Sequence, residues 1–175
     1  MKIKNNMKIN HIKRIIIFGF LVFLTSCGIY TFSGTSIQPD VKTIDIGYFE
    51  YKALKVNPTF SNQMTESLKE RFRKMTRLDQ VDMDGDLEIT GAVTDYDIRA
   101  TSITANEQAA KNRLTVTLKI TFKNKKHTEE NFDRNFSAYS EYDSTQPLDA
   151  VEGTLCEEII DKLVEDIFNA TVANW

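Results

Sequence analysis

The sequence predicts an α+β fold: a two-layer sandwich with two helices packed on one face of a mainly antiparallel four-stranded sheet, in the order β-α-β-β-β-α. Three observations carry this. Two stretches place apolar residues at helical spacing, Phe60 to Met75 and Leu155 to Phe168. One stretch, Leu114 to Phe122, alternates apolar and polar residues without a break. No repeat, long linker or low-complexity tract interrupts the chain after residue 40.

The chain begins with a leader. Lys2, Lys4, Lys8, Lys13 and Arg14 precede the apolar run Ile15 to Leu24, and no acid occurs before Asp40. A basic region, a short apolar region and small residues before a cut site make a secretory signal. The run is well short of the ~20 residues a membrane-spanning helix needs. It ends in Leu24-Thr25-Ser26-Cys27, which fits the bacterial lipobox. Residues 1–26 are therefore expected to be a lipoprotein signal peptide, with Cys27 the site of lipid attachment, because the thiolate is the nucleophile that becomes a thioether. Met7 is an alternative start that still leaves a basic region. Each buried methylene contributes about 0.8 kcal/mol, and a single acyl chain binds only marginally, so two or three chains make a lasting anchor. Residues 27–40, with turn formers among Tyr30 and Phe32, read as a lipidated tether, and residues 41–175 as the domain.

Within the domain, Ile44, Ile46 and Tyr48 alternate with Thr43, Asp45 and Gly47, the first strand. Glu50 to Val56 reads as a loop. Asn57-Pro58 marks a helix start, Asn as cap and Pro at the first helical position. Phe60, Met64, Leu68, Phe72 and Met75 form that helix's apolar stripe. Asp82-Met83-Asp84-Gly85-Asp86 invites a calcium reading. An EF-hand loop needs its glycine sixth and a glutamate twelfth, whereas Gly85 is fourth and Val93 twelfth, so the stretch reads as a turn. Leu87, Ile89, Gly91 and Val93 keep one parity and Tyr96 and Ile98 the other, which predicts a β-bulge at Gly91 or Thr94-Asp95. Thr101 to Ala110 is a polar connection. Leu114 to Phe122 is the central strand, and Phe132 to Ala138 its hairpin partner. The last helix opens at Pro147, with Asp149 and Glu152 spaced as a capping box and a seam of Leu155, Ile159, Leu163 and Ile167.

Charge and composition narrow the function. Taking the leader's five basic residues from the 22 Lys and Arg leaves 17 against 25 acids, a net charge near −8. So acidic a chain lacks the basic footprint of non-specific nucleic-acid binding. With Cys27 lipidated, Cys156 is the remaining thiol and no intramolecular disulfide forms; Cys156 reads as a small core hydrophobe, a reactive thiol being the alternative. His127, beside Lys125 and Lys126, is the one histidine after the leader and reads as part of a solvated turn. One histidine and one thiol do not build a zinc site, and neither a nucleophile elbow nor a phosphate-cradling glycine loop occurs. Glu129-Glu130 and Glu157-Glu158 read as solvated faces, although a glycosidase carboxylate pair is defined by distance in space, not by sequence. The expectation is a non-enzyme with no cofactor and no metal.

Several stretches together resemble the lipopolysaccharide-assembly lipoprotein family LptE, in its Bacteroidetes branch. They are Cys27 to Gly34, Ser36 to Ile44, Val56-Asn57-Pro58-Thr59, Asp84-Gly85-Asp86-Leu87, Thr104 to Glu107, Asn112 to Val116 and Val164 to Trp175. They span nearly all of the mature chain, and their order and spacing carry the likeness. The resemblance implies a two-layer α/β sandwich anchored in the inner leaflet of the outer membrane, facing the periplasm. It also implies a plug and partner of the LptD β-barrel translocon in lipopolysaccharide transport. Only Cys27 transfers residue by residue. The alternative is a periplasm-facing lipoprotein that binds an envelope ligand without a barrel.

One surface stands out. The solvent-parity residues of the central strand include Lys111, Arg113, Lys119, Lys123 and Lys125, five cations on one side of one strand in an acidic chain. Arg113, Lys119 and Lys123 are the candidate contacts to lipopolysaccharide or to the barrel. The competing reading is ordinary cross-strand pairing: if Phe122 faces Phe132, Lys119 lies opposite Asn135 and Lys123 diagonal to Asp133.

Overall fold

The computed structural model describes residues 37–101 and 110–172. The signal segment, Cys27, Tyr30 and Phe32, the connection 102–109 and Trp175 lie outside the described residues. The elements are β1 (Thr43–Ile46), β2 (Glu50–Tyr51), α1 (Phe60–Met75), β3 (Asp79–Val81), β4 (Leu87–Ala100), β5 (Lys111–Asn124), a 3₁₀ turn (Thr128–Glu130), β6 (Phe132–Asp143) and α2 (Leu148–Val172).

The two-layer α+β arrangement holds, and the sheet differs from expectation. Among the described residues it has six strands, in the order β3-β1-β4-β5-β6, with β2 also on β4. It is mixed: β1 runs parallel to both β3 and β4, and β2 parallel to β4, while β4-β5 and β5-β6 are antiparallel. Part of the expected loop Glu50 to Val56 is strand β2, and β3 follows α1 directly. Two- and three-residue strands are too short to show a period, which is why the sequence hides them.

The parallel start of the sheet depends on one tight bend. Between β3 and β4 the chain crosses the backbone of β1. A Cβ on Gly85 would lie 2.5 Å from the Asp45 amide nitrogen and 2.9 Å from the Ile44 carbonyl carbon, so only glycine fits. Asp84 takes a positive φ of 59° beside it. The Asp86 carboxylate accepts the amides of Lys42 (2.8 Å) and Thr43 (3.1 Å), and those bonds hold its carboxyl below the usual carboxylate range. The acid-rich stretch thus serves as a backbone clamp on β1.

The inner face carries the core. Leu114, Val116, Leu118, Ile120 and Phe122 of β5 are buried, and the intervening positions are not. They meet Phe60, Met64, Leu68 and Phe72 of α1 and Leu155, Ile159, Leu163 and Ile167 of α2 in one apolar cluster. Each such side chain contributes roughly 1.5–3 kcal/mol on burial. The helices touch each other edge-on through Phe72 and Phe168, whose ring centres are 5.0 Å apart.

Local departures have local causes. Met75 ends the α1 stripe but is exposed, since it sits in the last turn beside Arg73 and Lys74. Tyr48 is exposed and Phe49 buried in its place, because the chain leaves β1 at Ile46 and shifts parity. Phe49 then lies over Gly91, where a Cβ would come within 2.5 Å of its ring. Gly91 therefore stays in register, and the bulge falls between Val93 and Asp95. Pro58 precedes the helix, which starts at Phe60. Thr59, not Asn57, holds the N-cap position, and Asn57 acts from two residues earlier, its Oδ1 accepting the amides of Thr59 (3.2 Å) and Phe60 (3.1 Å). The expected capping box at α2 is replaced: the Glu152 carboxylate accepts instead from Tyr96 and Asn57.

Candidate functional site

β5 displays its second face to solvent, between β4 and β6. Phe122 pairs with Phe132, as the hairpin pattern predicts, so Lys119 faces Asn135, and Arg113 faces Glu141. On the other side Lys123 faces Glu88, Lys119 faces Ala92 and Arg113 faces Arg99.

Each candidate residue meets a different environment. The Arg113 guanidinium donates to Glu141 Oε1 through Nε (3.0 Å) and Nη2 (2.6 Å), and sits 4.1 Å from the centre of the Tyr139 ring. The Glu141 bond raises its pKa, so it is a fixed cation. Lys123 reaches Glu88 at 3.5 Å, while Asp133, its diagonal neighbour, accepts the Thr121 hydroxyl. Lys125 pairs with Asp84 at 2.6 Å, which lowers the aspartate and raises the lysine. Lys119 is exposed and has no acidic partner among the described residues.

The row is therefore brought together in space but is not uniformly free. Its end near the β4–β5 connection carries Arg99 directly opposite Arg113, each held by its own acid, Asp97 and Glu141. Together with Asp95, Asp97, Thr101 and Thr115 the two arginines line an open depression of about 440 Å³. Glu141 was legible in the sequence, because the register that sets Phe122 against Phe132 sets Arg113 against Glu141. Glu88 and Arg99 were not, because the register of β4 depends on the bulge beyond Val93.

Two further clusters escaped sequence reasoning. Inside, the Asn57 Nδ2, the Tyr96 hydroxyl, the Glu152 carboxylate and the Cys156 thiol form one knot joining α1, β4 and α2. Burial drives both the Tyr96 and the Cys156 pKa upward, so Cys156 is a packed thiol. At the opposite end, His127 Nε2 lies 3.1 Å from Asp40 Oδ1, tying the β5–β6 turn to the start of the domain. That bond raises the His127 pKa and lowers that of Asp40. His127 is thus an ion-pair partner, a tie that lay far apart in sequence.

Among the described residues no group of acids, histidines and thiols is arranged to hold a metal, and no helix is long and apolar enough to cross a membrane.

Comparison with known proteins places the fold. The family model described as lipopolysaccharide-assembly, LptE, matches residues 41–171. No curated protein matches the sequence. Among solved structures, a putative neuraminyllactose-binding hemagglutinin homolog from Helicobacter pylori is 11% identical, with a TM-score of 0.51 over 79% of this chain and 87% of that one. The hypothetical protein CT253 from Chlamydia trachomatis is 7% identical, with a TM-score of 0.50 over 77% of this chain and 99% of that one. A minor lipoprotein from Acinetobacter baumannii is 16% identical, with a TM-score of 0.43 over 69% and 89%.

Proposed function

We propose that this chain, which belongs to the LptE lipopolysaccharide-assembly family, is an outer-membrane lipoprotein that partners and plugs an LptD-like β-barrel during lipopolysaccharide delivery. Family membership implies involvement in lipopolysaccharide assembly and a role without catalysis. The observation that carries the finer reading is the reach of the family match, from β1 to the last turn of α2. Cys27 is the lipid attachment site, and the domain hangs from it on the periplasmic side of the membrane.

The contact surface we assign is the outer face of β5, with Arg113, Lys119 and Lys123 facing lipid A phosphates or acidic groups of the barrel. Arg113 is positioned by Glu141 and Tyr139, and Lys119 offers an uncommitted charge. Exposed ion pairs contribute little to folding, roughly 0–1 kcal/mol each. The row is thereby free to serve recognition at small cost to the fold.

The first test is the anchor. Intact mass of the membrane-extracted protein is expected to exceed the Cys27–Trp175 peptide by two or three acyl chains, and Cys27→Ala is expected to accumulate uncleaved precursor. A species cleaved elsewhere without lipid contradicts the assignment. Detergent extraction and affinity pull-down of the anchored protein then tests the partner. A co-purifying large β-barrel supports the proposal, and recovery of the lipoprotein alone favours an envelope-ligand binder.

A further inference from the structure

Between β2 and α1 the chain makes a turn that reads Lys52-Ala53-Leu54-Lys55-Val56. Leu54 is 103% exposed and Val56 73%, and Pro58 beside them is open to solvent as well. Single exposed apolar side chains are ordinary on a protein surface. These are held out by the backbone beneath them. The Tyr51 hydroxyl donates to the Lys55 carbonyl and accepts the Asn57 amide at 3.1 Å, so one phenol closes the turn across its base. At one end the Lys52 amide donates to the Val93 carbonyl of β4 at 2.9 Å. At the other, Asn57 is buried in the knot with Tyr96, Glu152 and Cys156. Tyr51 and Ala53 pack on the core, which leaves Leu54 to solvent. The result is a convex apolar tip whose shape is set in advance.

The charge around the tip is positive. Glu50 is taken by Lys52 at 2.6 Å and Glu152 by the knot, while Lys55 has no acidic partner among the described residues. The whole stretch between β2 and β3, the turn and α1, holds seven Lys and Arg against two acids, a net of +5. Helix α2 holds seven acids against Lys162 alone, a net of −6. The two helices therefore bear opposite charge. A protein partner would need further apolar anchors around so small a tip. A bilayer accepts a convex tip without a matching pocket, and lysines beside apolar side chains suit its interface, stems among the lipid and ammonium groups among the phosphates.

We propose that the Leu54–Val56 tip enters the lipid bilayer, with Lys52 and Lys55 at its anionic headgroups, so that the domain lies with α1 toward the membrane and α2 away. The inference rests on the Cys27 anchor and describes the lipoprotein while no barrel encloses it. A chain already tethered at the surface is oriented by an insertion too weak to recruit it from solution. The reach is sufficient. Ile37 lies at the Leu87 end of β4, where both line one pocket, and the tip lies near Tyr96, nine residues or ~30 Å along the strand. Ten residues from Cys27 to Ile37 span up to ~35 Å when extended, which lets the domain lie along the membrane.

The test uses the full lipidated chain, purified from membranes and reconstituted without a barrel. The vesicles contain phosphatidylethanolamine, phosphatidylglycerol and a phospholipid with a photoactivatable acyl chain. Illumination marks side chains that enter the apolar layer, and peptide mapping locates the adducts. Adducts are expected on the Leu54–Val56 tip and are expected to be lost in the double variant Leu54→Ser, Val56→Ser. Because both side chains are exposed, that variant is expected to keep the wild-type thermal midpoint. In vesicles of phosphatidylcholine alone, which lack anionic headgroups, the yield at the tip is expected to fall. Adducts confined to the Cys27 peptide overturn the inference, as does a tip adduct that survives the double substitution or is equally strong in phosphatidylcholine. A tip left unmarked, whether a second copy or another protein covers it, overturns it too. Intact mass keeps the anchor distinct. Tip adducts on a chain without acyl groups would leave the insertion standing and remove the lipid from Cys27, whereas an acylated chain with an unmarked tip does the reverse.

Discussion

The two faces of β5 share one backbone and obey different physics. Inward, Leu114 to Phe122 meet both helices in a closed apolar cluster, and each side chain depends on its neighbours for packing. Outward, Arg113, Lys119 and Lys123 lie among pairs open to solvent, with side-chain exposures of 40% for Arg113 and 51% for Lys123. Apolar burial scales with area and leaves a cavity when truncated. Exposed charge pairs are screened and exchange readily with water. The strand therefore separates the packed core from the charged surface proposed for recognition by parity alone, and a chain so arranged can change its outer face without rebuilding its core.

The largest expected effect lies on the inner face. Leu118→Ala and Leu163→Ala are each expected to cost about 2–5 kcal/mol, the range for buried leucine truncation. Denaturant unfolding measures this. If both variants kept the wild-type midpoint, the shared core between sheet and helices would be wrong.

Next comes the knot linking the layers. Glu152→Ala removes the acceptor for both the Tyr96 hydroxyl and Asn57 Nδ2. Leaving buried donors unsatisfied costs roughly 1–3 kcal/mol. Tyr96→Phe removes one donor together with its need for a partner, so it is expected to be milder. The comparison of the two unfolding curves checks the order, and equal losses would show that the hydroxyl itself carries the tie.

How much of this was visible beforehand follows the same division. The inner face of β5, the hairpin register and both helix stripes were legible, because each repeats a period over many residues. The bulge near Thr94 was legible as a parity slip. Strands β2 and β3 were not, and neither was the parallel pairing of β1 with β4, because strand order is a property of the crossover and not of any local pattern. The clamp role of Asp86 and the need for Gly85 lay hidden for a related reason: both act on β1, remote in sequence. At the candidate surface, the cation row and the Arg113–Glu141 register could be read from parity.

A smaller effect sits at the domain's end, at the His127–Asp40 pair. The folded pKa of His127 is raised by Asp40 above the usual value near 6.5. The contribution of the pair is therefore fully present below the unfolded value and is lost as pH rises through the folded one. An NMR titration of the His127 ring is expected to give a value above 6.5 that Asp40→Asn lowers. A titration unmoved by Asp40→Asn would break the link. Because both groups are exposed, the thermal midpoint is expected to change only slightly across this window.

The smallest expected effect on folding is also the one with the largest expected effect on assembly. Arg113→Glu, Lys119→Glu and Lys123→Glu combined reverse the outer face of β5 while leaving every inner residue in place. The measurement is barrel recovery in pull-down from detergent-extracted membranes, set beside the thermal midpoint of the same protein. The expected result is a near-unchanged midpoint and loss of the co-purifying barrel. Undiminished barrel recovery by the folded triple variant would contradict it and assign the row to solvated pairing.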